Sequence, residues 1–269
     1  MSRVGTVRQD VRDPALEARL KTHLAGCCFG GTLHAFACVD STMELAHALA
    51  AQGAGEGTLV WAAQQRQGRG RLGRSWNSPT GGAYFSFILR PTRPITEVPQ
   101  LSLVIGLAAA ETIQQLTGLF TAIRWPNDLL INSRKIAGIL VEAKNSAVIV
   151  GVGLNVTTDP TQLPETATSL AASGAKNADP YSLTAELCRR FDAWYDVWTG
   201  KGFAPIREAL RPWMGMFGQS VRIRTATHSL QQADFEGVAQ DIDEQGRIVV
   251  RLEPGLLHTF SVGEITLLK

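Results

Sequence analysis

Nine consecutive residues of this chain, from Arg66 to Arg74, contain four arginines and three glycines in the order Arg66-Gln67-Gly68-Arg69-Gly70-Arg71-Leu72-Gly73-Arg74, with Trp76 just beyond. Such a run cannot pack a core. Glycine lets backbone adopt positive φ and approach a ligand closely, and arginine presents a fixed fork of donors to carboxylate or phosphate. An anion-holding loop is the direct reading, although a solvated basic loop or a nucleic-acid contact would use the same residues. A Walker-type loop requires GxxxxGK[ST] and a dinucleotide fold requires GxGxxG opening a helix; the segment has neither context.

A second polar group is Arg124-Trp125-Pro126-Asn127-Asp128, followed seven residues later by Lys135-Ile136-Ala137-Gly138. A polar turn between apolar strands puts Asn127, Asp128 and Lys135 near strand ends, where rigid backbone can aim side chains into a cleft. The plainer alternative is a hairpin in which Asn127 and Asp128 only form the turn and Lys135 is solvated. The five histidines are scattered without HxxxH or HExxH spacing, so no dedicated metal cluster is expected.

The elements that would hold these groups can be read from periodicity. Residues 13–24 predict a short helix opened by Asp13 and Pro14, residues 32–39 a strand, and DSTMELAHALAA a helix capped by Asp40, Ser41 or Thr42. Residues 58–65 and 83–90 read as apolar strands flanking the Gly-Arg run. A long helix is expected over VPQLSLVIGLAAAETIQQL, then short strands in TAIRWP, DLLIN, KIAGILVEA and AVIVGVGLNV, which suggests a mixed sheet. Residues 157–180 look like a loop, and Leu183, Leu187, Phe191, Trp194 and Trp198 mark a helix with a core-facing stripe. After RPWMGMFGQS the chain changes to short alternating strands with a hairpin turn at DEQG, predicting a small all-β barrel of about 55 residues.

At 269 residues two domains are expected, a catalytic one over 1–214 and a small one over 215–269. The net charge of +2 leaves no global footprint for nucleic acid or membrane, so cationic chemistry must be local. Cys27, Cys28, Cys38 and Cys188 form no CxxC pair, no signal-peptide core opens the chain, and no apolar run is long enough for a membrane helix. A cytoplasmic protein fits that pattern.

In order along the chain, DST, AAQQRQGRGRLGRSWNSPTGG, RWPNDLLINSRKIAGILVEA and VGVGLNV resemble the catalytic domain of biotin protein ligases over about residues 33–156. The β-rich tail resembles that family's small C-terminal domain. The resemblance implies an α+β fold: a mixed-sheet catalytic domain of class II aminoacyl-tRNA synthetase type with an SH3-like barrel behind it. It implies that biotin, ATP and Mg2+ meet to form biotinyl-5′-AMP, whose biotin then passes to a lysine of a biotin carboxyl carrier domain; the weak net charge and the lack of a long apolar run make neither DNA nor membrane an expected partner. Carried over by position, Ser41, Thr42, Gln65, Arg69, Gly70, Arg71 and Gly138 would surround biotin, with Lys135 at its carboxylate. Arg74, Trp76, Asn127 and Asn155 would lie on the ATP side, Trp76 against adenine, and Asn127 and Asp128 near phosphates and magnesium. Lys135, Arg69 and Asp128 would be catalytic, Asp128 accepting a proton from the acceptor amine or orienting it.

The chemistry agrees with those roles. An ionised carboxylate approaching a polyphosphate needs cations rather than a base, whereas the uncharged ureido head needs hydrogen-bonding partners such as Ser41, Thr42 and Gln65 in an apolar pocket. Two positions depart from the family: Arg124 stands where lysine is usual, and Met43 where asparagine is common. The 32 or so residues before the first strand are too few for a winged helix-turn-helix. A lipoate ligase would be expected to carry an RR-x-x-GGG segment instead, and a nucleic-acid module an aromatic-basic stripe.

Overall fold

The computed structural model describes residues 10–226 and 232–268. Helix α1 (Pro14–His23) begins where Asp13 Oδ1 accepts from the amides of Ala15 and Leu16 at 3.0 and 3.1 Å, with proline at the first helical position. Strand β1 (Leu33–Phe36), helix α2 (Thr42–Ala51) and strands β2 (Leu59–Ala62) and β3 (Gly82–Leu89) follow. Helix α3 (Leu101–Thr117) starts three residues later than its apolar pattern predicts. Pro99 lies in a 3-10 turn over Ile95–Gln100, because a proline has no amide to give to a helix interior. Gly118, left-handed at φ 73°, ends that helix.

Strands β4 (Ala122–Arg124), β5 (Asp128–Ile131), β6 (Arg134–Lys144) and β7 (Ala147–Asn155) come next, then helices α4 (Pro180–Lys201) and α5 (Ala204–Leu210). The seven strands form one sheet in the order β1-β2-β3-β7-β6-β5-β4, parallel between β1 and β2 and antiparallel elsewhere, so the expected mixed sheet is present. The short α5 carries too few turns to show a period and has no counterpart in the sequence reading.

Alternation along the central strands divides the two faces. Val148, Val150, Val152 and Leu154 of β7, with Ala137 and Ile139 of β6, face the main core shared with α3 and α4. Ile149 and Leu140 belong to a smaller cluster with Met43 and Ala46 of α2, on the opposite face. Helix α2 is only ten residues long and covers part of that face. At its edge the strands carry Gly138, Gly151 and Gly153, which line a trough; Met43 of α2 packs on Gly151, and Trp76 on Gly138 and Gly153.

A second, antiparallel sheet is built from β8 (Ser220–Ala226), β9 (Gln232–Ile242), β10 (Ile248–Leu252), β11 (Leu257–Phe260) and β12 (Glu264–Leu267), in the order β11-β10-β9-β8-β12. Its turn at residues 243–246, where DEQG predicted one, docks on the larger unit. Trp125 Nε1 donates to Gly246 O at 3.0 Å and Gln100 Nε2 to Glu244 O at 3.3 Å, while Arg207 and Arg211 both pair with Asp241. The buried side chains Val221, Ile223, Ile242 and Ile248 continue the main core without a break.

Trp125 is therefore both a core residue, 2% exposed, and the donor that anchors the second sheet. Trp125→Phe keeps most of the burial but leaves the Gly246 carbonyl without that donor. Equilibrium urea unfolding is expected to show a loss on the order of 1–3 kcal/mol.

Candidate active site

The Gly-Arg run leaves β2 and returns to β3 as an ordered hairpin. Gln65 N donates to Ser78 O at 3.1 Å, Trp76 N to Gly68 O at 2.8 Å, and Gly70 N to Arg74 O at 2.7 Å. Gly68 has to be glycine: a Cβ there would run into Trp76 O and Ser78 Oγ. The tip turns at Leu72 and Gly73, both with positive φ, and Leu72 points into solvent. Arg66 takes no part in the tip. Its guanidinium bonds Asp10, Asp40 and the Cys38 thiol, tying the start of the hairpin to the DST segment.

Under the hairpin lies a cavity of about 240 Å³ on the glycine-lined face of the sheet. The indole of Trp76 rests on Gly138 and Gly153, where any Cβ would meet it, and the Lys135 ammonium sits 5.1 Å from its ring centre. Strict alternation counted back from Gly138 would turn Lys135 into the core. A bulge between β5 and β6 inserts Ile136, which is fully buried, and so returns Lys135 to the cavity face. The segment of residues 157–180 is more than the expected connection: Thr168, Ser169 and Leu170 are buried in it. Its backbone brackets Lys135, with Lys135 N donating to Thr166 O and Thr168 N to Lys135 O, each at 2.9 Å.

At the α2 end of the cavity the polar groups form one chain. Ser86 Oγ donates to Thr42 Oγ1 at 2.9 Å, Thr42 donates through N and Oγ1 to Gln65 Oε1 at 2.8 and 3.1 Å, and Gln65 Nε2 donates to Ser78 Oγ at 2.9 Å. The expected cap is thus corrected. Ser41 occupies the N-cap position without a side-chain bond, and a glutamine from the neighbouring loop takes the free helix amide. Ser41 and Asn155 do not line the cavity; Asn155 Nδ2 donates to Thr168 O at 3.0 Å. Among the described residues Ser41 Oγ, Asn155 Oδ1 and Trp76 Nε1 are buried with no hydrogen-bond partner, so each has capacity left for a ligand or water.

Arg69, Arg71, Arg74, Arg124 and Lys135 line the cavity, against the carboxylates of Asp128 and Glu264. Asp128 is held between Arg124 and Lys135, 2.6 Å from each. Arg74 makes a two-pronged pair with Glu264 at 2.6 and 2.7 Å, and Arg71 Nη1 donates to Asn127 Oδ1 at 3.1 Å and Gly263 O at 3.4 Å. Asn127 Nδ2 in turn donates to Ile139 O at 2.9 Å. Burial pulls the Arg71 guanidinium below its ordinary pKa, against the opposing pull of Asp128 and Glu264. A cation already stripped of water is one that an incoming anion relieves.

Of the residues singled out from the sequence, the structure brings Thr42, Gln65, Arg69, Gly70, Arg71, Arg74, Trp76, Asn127, Asp128, Lys135 and Gly138 to this one cavity. The sequence reading did not include Glu264, Ile265 and Thr266, which arrive from the second sheet, nor Gly151 and Gly153. The glycine pair had a signal, two glycines of the same parity in an apolar strand; the β12 residues had none.

Comparison with known proteins matches residues 35–159 to the "Biotin/lipoate A/B protein ligase family" and residues 216–268 to the "Biotin protein ligase C terminal domain". The Bifunctional ligase/repressor BirA of Bacillus subtilis is 35% identical over 233 residues, covering 83% of this chain and 70% of that protein. The biotin--[acetyl-CoA-carboxylase] ligase of Mycobacterium tuberculosis is 32% identical over 274 residues, covering 98% and 100% of the two chains. The solved biotin protein ligase from Aquifex aeolicus in complex with biotin and ATP superposes with a TM-score of 0.77 at 30% identity, covering 89% of this chain and 99% of that one. The biotin protein ligase of Leishmania major in complex with biotinyl-5-AMP gives 0.59 at 26% identity, covering 86% and 99%.

The hairpin geometry predicts that Gly68→Ala opens the arginine loop, since the new methyl collides with backbone and the loop must unfold locally to accept it. Trypsin cleavage after Arg69, Arg71 or Arg74 is expected to speed up about tenfold or more. Cleavage at the wild-type rate would mean that the loop does not hold this hairpin.

Proposed function

Because this chain belongs to the biotin protein ligase family, we propose that the cavity under the arginine hairpin is the place where biotin and ATP react. The protein is an ATP-dependent ligase. It forms biotinyl-5′-AMP from biotin and ATP and transfers biotin to a lysine of a biotin carboxyl carrier protein. In the first step a biotin carboxylate oxygen bonds to the α-phosphorus and pyrophosphate leaves. In the second, the acceptor amine nitrogen bonds to the acyl carbon, AMP leaves, and the amine gives up a proton.

The observation that carries the assignment of the site is its charge: five cationic side chains against two carboxylates around one cavity. Two anions repel in water-poor surroundings, and fixed cations aimed at the developing charge are what lowers that barrier. In this reading Lys135 meets the biotin carboxylate, Arg69, Gly70 and Arg71 close over it, and Gly138 borders it while giving Lys135 and Trp76 their room. Ser41, Thr42 and Gln65 take the ureido head, a role supported by the polar chain at the α2 end and by the unpartnered Ser41 Oγ. Arg74, Trp76, Asn127 and Asn155 take the nucleotide side; the free Trp76 Nε1 and Asn155 Oδ1 supply unused polar capacity there.

Asp128 orients the acceptor amine or takes its proton. Its present partners, Arg124 and Lys135, hold it at the cavity wall. Among the described residues no three His, Cys, Asp or Glu side chains gather as a metal cage. Asp128, a carboxylate, and its neighbour Asn127 would hold a Mg2+ that arrives with ATP. When bound, that ion offsets phosphate charge.

The reading extends to the architecture: residues 1–214 as a catalytic unit of class II aminoacyl-tRNA synthetase type and 215–269 as an SH3-like unit. A carrier domain, rather than DNA, is the macromolecular partner. No helix among the described residues is long and apolar enough to cross a membrane, and the four free cysteines suit a cytoplasmic setting.

Biotin-dependent exchange of labelled pyrophosphate into ATP tests the site, with lipoate in place of biotin expected to give none. Lys135→Ala is expected to slow adenylate formation at least about a hundredfold in single turnover; near-normal formation removes Lys135 from the mechanism. Asp128→Ala is expected to impair transfer to the acceptor, and normal rates in both half-reactions would sink its role.

A further inference from the structure

Arg69 is the one arginine of the hairpin that faces two ways. It lines the main cavity, and it also borders a shallow recess formed by Glu44 and His47 of α2 and by Glu142, Ala143 and Lys144 of β6. Among the described residues its only side-chain partner is Glu142, to which Nη2 donates at 2.8 Å. The other carboxylate oxygen of Glu142 lies 2.8 Å from His47 Nε2. Glu142 shares the sheet face of Gly138 and Leu140, the cavity floor, and is fixed by pairing with Ile149 of the central strand β7.

From this geometry we propose that Glu142 is a positioning residue for Arg69, backed by His47. A long arginine side chain on a glycine-flanked loop would otherwise sample many rotamers, and ordering it costs entropy. Glu142 takes one edge of the guanidinium from the recess side and leaves the remaining N–H donors free for an anion in the cavity. His47 completes the arrangement by occupying the second carboxylate oxygen, so that Glu142 meets Arg69 through Oε1 alone. Glu44 and Lys144, the other charged groups of the recess, have no ion pair with any of the three. Arg69 thus reaches its task through a residue outside the reaction cavity. The inference rests on the reading of Arg69 as an anion-binding residue of the ligase site.

A double-mutant cycle on single-turnover adenylate formation separates positioning from general structure. Glu142→Ala is expected to slow the wild-type enzyme about tenfold, the value of one charge-assisted hydrogen bond. In an Arg69→Ala background the same change is expected to cost less than about twofold, because nothing is left to position. Glu142→Gln, which keeps an acceptor oxygen, is expected to recover most of the rate, and His47→Ala to lose about two- to threefold only while Glu142 is present. Equal factors for Glu142→Ala in both backgrounds, or no effect in either, would overturn the positioning role even if wild-type protein exchanges pyrophosphate with biotin. A wild-type protein without that exchange would instead overturn the ligase reading of the site beneath it.

Discussion

Like charges crowded into one cavity repel, and most of what is specific to this structure can be traced to holding them there. Five cations line the trough, and two carboxylates from distant parts of the chain offset them in part. Asp128 bridges Arg124 and Lys135, and Glu264 takes Arg74 in a two-pronged pair. Arg71 stands partly out of water, and that burial pulls its pKa down. A site in that condition favours anionic reactants before any of them arrives, because each contact with one replaces solvation already lost.

Holding cations in that condition requires rigid supports. Lys135 is carried by a central-sheet strand, turned to the cavity by a bulge and bracketed on its backbone by the segment of residues 157–180. Asn127 and Asp128 follow Trp125, which is locked in the core by its bond to Gly246. Only Arg69, Arg71 and Arg74 ride on a loop, and that loop is closed by ladder bonds and by partners on three sides: Asp40 behind, Glu142 to one flank, Glu264 to the other. The main core on the far face of the sheet supplies the stiffness behind these contacts.

The small second sheet is consequently part of the site and more than an appendage. Its β9–β10 turn seats on Trp125 and Gln100, while Gly263 and Glu264, at the start of β12, reach the hairpin arginines. A contact at one end of this sheet and a contact at the other thus bear on the two halves of the same cavity. The arginine loop and the WPND turn therefore lean on the same sheet.

Much of this was legible from residue types in order along the chain. The glycine-arginine run, which no core can accept, and WPND with Lys135 marked out two polar segments that meet at one cavity, the short strands of residues 121–156 pointed to a mixed sheet, and the alternating strands of the tail to a separate all-β unit. What sequence order could not decide was which side of a strand or loop each group would face and what would meet it there. The bulge at Ile136 reverses the facing of Lys135, Gln65 replaces the expected side-chain cap of α2, Ser41 and Asn155 are not among the residues that line the cavity, and Glu142 and Glu264 find arginines 73 and 190 residues away. Local periodicity reports the energy of burying one face of one element. Partnerships between charges depend on distances through space, and those exist only once the sheets have packed.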